Sequence, residues 1–196
     1  MRGIIILMLA VVALSAGCQS RADRDTQLDI KSLQKTVGKE RISMTLTQVA
    51  NPSMDKSIMD KSDTEIIAWI KSVDAWTHQV LSAPVTGEMD QAAAMEIRNH
   101  LTQVYTQDAA DKLIDYFYRR DLRTGTYQAN STDAMLGMRS EWGSYQLRKE
   151  KPSGDQYRIR LTGRTQHDVS ESVMQHISVY QVQGDRLVIK EFTTHS

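Results

Sequence analysis

The sequence predicts an α+β fold in which three N-terminal helices pack on one face of a four-stranded antiparallel sheet. Three observations carry that expectation. Apolar residues recur at helical spacing from Ile66 to Phe117, then alternate with polar ones after Glu141. Short turn signals, Pro152-Ser153-Gly154-Asp155 and Gly184-Asp185, separate the later runs and leave no room for crossover helices. Helices first and sheet second is the order of an α+β domain, with its helices gathered on one sheet face.

The chain opens on Met1-Arg2, and Ile4 to Leu14 is an unbroken apolar run ending in Leu14-Ser15-Ala16-Gly17-Cys18. A positive start, a run shorter than the ~20 residues that span a bilayer, and then small residues make the pattern of a signal peptide. The segment resembles the lipobox of bacterial lipoproteins, in which small residues precede a cysteine that receives lipid before cleavage. Ala16 and Gly17 match that pattern, while Ser15 stands where Leu is usual and Leu14 lies one step upstream. The resemblance implies removal of residues 1–17 and acylation of Cys18. Cys18 is the one cysteine of the chain, so intrachain disulfides and metal sites built on several thiolates are excluded. Gln19, which is not Asp, implies sorting to the outer membrane of a two-membraned cell.

From Gln19 to Gln27 the chain is polar and reads as a tether. Leu28, Ile30, Leu33 and Val37 suggest a short helix ending at Gly38. Ile42, Met44 and Leu46 alternate with Ser43, Thr45 and Thr47 and suggest a short strand, broken at Asn51-Pro52. Met54-Asp55-Lys56-Ser57 is echoed by Met59-Asp60-Lys61-Ser62, which reads as a solvated approach to a helix. The expected organisation is a signal peptide over 1–17, a lipidated and mostly extended tether over 18–61, and an α+β domain over 62–196.

Ser62-Asp63-Thr64-Glu65 is a capping box, and Ile66, Ile70, Val73, Thr77 and Val80 follow on one face up to Pro84. A second helix is expected over 88–105, with Ala93, Ile97, Leu101 and Val104 on its apolar face. A third starts at Asp108 as cap, buries Ala110, Leu113, Ile114 and Phe117, and frays into Tyr118-Arg119-Arg120-Asp121 before Gly125. Strands are expected over 142–149, 157–164, 173–183 and 186–193, the second showing Tyr157, Ile159 and Leu161 between Arg158, Arg160 and Thr162.

This order of elements from Ser62 onward resembles the NTF2-like, or cystatin-like, superfamily. The stretch Thr106 to Tyr127 looks like the middle of such domains, and Tyr180 to Ile189 looks like their closing hairpin. The resemblance implies a curved sheet with helices in its concave face. It implies no single activity, because that fold carries enzymes, binders and scaffolds alike.

Lys plus Arg and Asp plus Glu are equal at 24 each, which gives no electrostatic footprint for nucleic acid. Motifs of nucleophilic hydrolysis, phosphate loops and zinc helices are missing from the sequence. His100 and His176 are the candidate bases of an acid/base pair inside the cone, with Asp111 and Asp115 as partners. Asp108, Asp111 and Asp115 share one helical face and read as a solvated helix start favoured by the dipole. Trp69, Trp76 and Trp142 are candidates to line a pocket, with core packing as the default. The expected assignment therefore carries lipid on Cys18 and no catalytic, cofactor or metal residue. The expected role is a non-enzymatic binding or docking module in the cell envelope, on an envelope protein or small ligand. The alternatives are a small enzyme using a His/carboxylate pair, and a structural subunit of a secretion or conjugation complex.

Overall fold

The computed structural model of the chain describes residues 36–130, 142–167 and 170–195. Cys18, the expected signal peptide and most of the expected helix before Gly38 lie outside the described residues. The fold is α+β, with four α-helices and two antiparallel sheets among the described residues. The helices are α1 (Lys39–Leu46), α2 (Asp63–Leu81), α3 (Gln91–Leu101) and α4 (Gln107–Phe117), and a 3-10 turn covers Lys56–Asp60.

Helix α2 forms for the reasons its sequence gives. The Ser62 side chain accepts from the Glu65 amide at 3.4 Å, while the Glu65 carboxylate accepts from the Ser62 amide at 3.1 Å. Ile66, Ile70, Val73, Thr77 and Val80 are all fully buried. In α3 the cap is Asp90, whose carboxylate accepts from the Ala93 amide at 2.7 Å, so the helix is shorter than the expected 88–105. In α4 the cap is Thr106 and not Asp108; Asp108 sits in the first turn and pairs with Lys112 at 2.7 Å.

The small sheet joins the helix ends. Its strands β1 (Glu88–Met89), β2 (Tyr118–Arg120) and β3 (Tyr127–Ala129) lie in the order β1-β3-β2. The expected fraying after Phe117 is corrected here: Tyr118 turns directly into β2, and its hydroxyl donates to the Leu81 carbonyl at the end of α2. The large sheet is a meander of β4 (Trp142–Ser153), β5 (Gln156–His167), β6 (Ser170–Gln183) and β7 (Arg186–His195). These are the four expected strands, each longer than its apolar run. Gly184, at φ 64°, takes the left-handed turn between β6 and β7 that a side chain would strain.

One core unites helices and sheet. Ile159, Leu161, Tyr180, Leu187, Ile189 and Phe192 of β5–β7 belong to the same buried cluster as the apolar faces of α1 to α4. The Trp69 ring lies 5.2 Å from that of Tyr180, and its Nε1 donates to the Ser53 carbonyl at 2.7 Å.

The region before Ser62 departs most from expectation. Residues 39–46 are helical, not a strand, because Ile42 and Leu46 are also one helical turn apart and both bury while Met44 is 73% exposed. The compact body begins at Thr36 rather than at 62. The Val37 amide donates to the Glu88 carbonyl at 2.9 Å, and Val49, Met54 and Met59 are buried. The methionine of each copy of the short echo is thus an anchor. No helix among the described residues is long and apolar enough to cross a membrane.

A direct consequence is measurable. Ile42→Ala is expected to lower unfolding free energy by about 2–5 kcal/mol, whereas Met44→Ala stays within about 0.5 kcal/mol. Equal, near-zero effects of both in urea titrations would restore the tether reading for this segment.

Candidate functional site

The two histidines singled out by sequence end in different surroundings. His176 projects from the inner face of β6, is fully buried, and its Nδ1 lies 3.0 Å from Thr194 Oγ1 on β7. The Phe192 ring stands edge-on to it, with centroids 4.5 Å apart. Burial disfavours the imidazolium and pushes its pKa down to about 3. His100 lies half-buried on α3, stacked on Trp76 with centroids 5.6 Å apart. Partial burial lowers its pKa, and Glu96, one turn back, opposes that shift.

The expected carboxylate partners are elsewhere. Asp111 pairs with Arg98 at 2.5 Å, Asp108 with Lys112, and Asp115 is exposed on α4. The expected approach of Asp111 or Asp115 to a histidine is therefore corrected: α4 directs these carboxylates toward α3 or solvent. No group of three or more His, Cys, Asp or Glu side chains suited to a metal ion occurs among the described residues. Trp69 and Trp76 are core residues, and the side chain of Trp142 lies outside the described residues.

Sequence reasoning missed a polar seam that runs through this core. Thr77 of α2 donates to the Val73 carbonyl at 2.8 Å, and its oxygen lies 2.7 Å from the Tyr105 hydroxyl. A hydroxyl has one proton, so Tyr105 is the donor in the second bond. Burial raises the Tyr105 pKa, the bond to Thr77 opposes this, and the nearby Tyr180 and Asp74 add to the rise. Burial likewise raises Tyr180, with Ser178 acting the other way. His176, Ser178 and Tyr180 alternate along the inner face of β6, where the sequence pattern His-Ile-Ser-Val-Tyr already carried the period of two. The arrangement keeps its tyrosines protonated and its histidine neutral across the physiological range. A base catalyst works best with a pKa near the working pH, and burial holds that of His176 below it.

Openings lie at the margins of this interior. One is a groove of ≈ 540 Å³ between α4 and the last half of β7, with Ala109, Leu113, Tyr116 and Phe117 on one wall and Phe192 and Thr194 on the other. A second, of ≈ 480 Å³, lies by the end of α3 and the β6–β7 hairpin, and a third of ≈ 280 Å³ lies between His78 and Tyr118.

The buried imidazole generates a pH prediction. In the unfolded chain His176 takes a proton near pH 6.5, but in the fold only near 3, so protons favour unfolding between those values. Stability is expected to fall as pH drops through that window, at up to about 1.4 kcal/mol per pH unit from this group. Denaturant titrations of His176→Gln should show a correspondingly flatter acid limb; an unchanged limb removes His176 as the cause.

Comparisons with known protein families, with curated proteins and with solved structures each return no match.

Proposed function

We propose that the chain is an exported lipoprotein, anchored through acyl chains on Cys18, whose α+β body is a non-enzymatic docking module at the cell envelope. The observation that carries the docking part is the filled interior. The space between helices and sheet is taken by Trp69, Ile70, Trp76, Tyr105, Leu161 and Tyr180, each at most 8% exposed. A substrate-sized chamber of the kind used by pocket enzymes is lined by apolar groups with a few convergent polar ones, and here Tyr105 is bonded to Thr77 and His176 Nδ1 lies against Thr194. Recognition is then left to the surface and its marginal grooves.

The element order supports an NTF2-like arrangement of helices against a curved sheet, a scaffold compatible with docking. The lipobox-like segment Leu14 to Cys18 supports the anchor. Lipid contributes roughly 0.8 kcal/mol per buried methylene, so two or three chains hold a protein on a bilayer in effect permanently. Gln19, which is not Asp, supports the outer-membrane class where two membranes exist.

Mass spectrometry of the native protein is expected to find residues 1–17 removed and Cys18 acylated, and Cys18→Ser should move the protein from membrane to soluble fractions. An unmodified thiol in a water-soluble product removes the anchor. Crosslinking in intact cells should recover the same envelope protein repeatedly; recovery of abundant proteins alone counts against docking.

A further inference from the structure

Among the described residues, strand β7 is an edge strand whose outer side is covered for only half its length. Residues that put their side chains on one face of a strand all turn their N–H and C=O groups to the same side. On β7 the inner-facing set is Leu187, Ile189, Phe192 and Thr194, with the register shift at Lys190 accounting for the longer step. The first two are satisfied from within the chain. Leu187 N–H donates to the Met54 carbonyl at 2.7 Å. Ile189 N–H donates to the Val104 carbonyl at 2.9 Å, and its carbonyl accepts from Thr106 N–H at 2.8 Å.

Both covering segments are extended chain laid along the edge. The Asp55–Arg186 bridge runs antiparallel and the Tyr105–Ile189 bridge parallel. Past Ile189 the cover stops: among the described residues, Phe192 and Thr194 have no backbone partner on that side. There the edge faces the ≈ 540 Å³ groove, whose far wall is one stripe of α4 formed by Ala109, Leu113, Tyr116 and Phe117. Tyr116 is 49% exposed, and Leu113 and Phe117 are only partly buried.

An open backbone edge beside an apolar helix wall is matched by one extended chain, whose backbone pairs with the strand while alternate side chains meet the wall. Neighbouring strands lie ~4.8 Å apart, and packed layers ~10 Å, so a groove walled by a helix admits one strand and no second sheet. The geometry points to β-strand addition. The docking partner presents a short extended segment with alternating apolar side chains, which pairs with Phe192 and Thr194 and packs on Leu113, Tyr116 and Phe117. This continues along one edge a mode the chain already uses on itself. It rests on the docking reading and names its surface.

Short random peptides on phage, selected against the mature chain carrying Cys18→Ser, should enrich sequences that alternate apolar and polar residues. In the tightest synthetic peptide, methylating single backbone nitrogens should weaken binding about tenfold at every second position and leave the intervening positions nearly unchanged, as expected for lost edge hydrogen bonds. Leu113→Arg, checked for unchanged melting, should weaken binding by about the same factor; the methylation scan uses the parent protein and stands if that variant misfolds. A selection without binders, indifference to methylation, or equal binding by Leu113→Arg overturns strand addition. So does self-association through this edge, seen by sedimentation and lost in Leu113→Arg, which makes a second copy the occupant. Those failures leave the anchor and docking on another face intact, because fractionation of Cys18→Ser and crosslinking in cells test them independently.

Discussion

The inner face of the β4–β7 sheet is largely apolar, with the His176–Ser178–Tyr180 seam set into it, and has to be covered; the contact between α2 and that face is the one on which the rest depends. Helix α2 meets it where Trp69 lies against Tyr180, and its buried stripe belongs to the same core cluster as the strands. With that contact in place, α3 and α4 complete the cover, and Arg98–Asp111 ties them to each other. At roughly 25 cal/mol per Å² of apolar area, a buried Trp–Tyr pair is among the larger single contributions available to a domain without disulfides. The short strands β1 to β3 then follow as clips that hold helix ends where the large contact has put them.

Such a core leaves little space for chemistry. A buried polar group costs free energy unless it is satisfied; Tyr105–Thr77 and His176 Nδ1–Thr194 meet part of that demand inside the protein, while His176 Nε2 and the Ser178 and Tyr180 hydroxyls have no hydrogen-bond partner among the described residues. The openings described above lie instead at surfaces where the apolar cover is incomplete.

The legibility of the fold in the sequence followed the length of each element. Helix α2 was readable because three signals agree on it: the Ser62–Glu65 box, the stripe from Ile66 to Val80, and Pro84. The four long strands were readable from alternation, as was the Gly184 turn. Helix α1 was not, because Ile42 and Leu46 fit a period of two as well as a helical turn, and eight residues cannot decide between them. Strands of two or three residues such as β1 and β2 show no period at all; their existence is decided by partners distant in the chain. The groove shares that property, since Leu113 and Phe192 are brought together only by the fold. The polar seam was half visible, in the alternation of His176, Ser178 and Tyr180, but its helical half in Thr77 looked like one more position on an apolar stripe.

The segment around Met54 to Lys56 closes against the last hairpin, and Lys56 Nζ meets the Asp185 carboxylate across a separation of 129 residues. Native contacts of such long sequence separation form late, because the loop between them must close first. The segment from Met54 to Lys56 therefore has no finished binding place until the final hairpin has been synthesised, whereas Val37 already has its partner at Glu88. Contact order, in this protein, is a timetable.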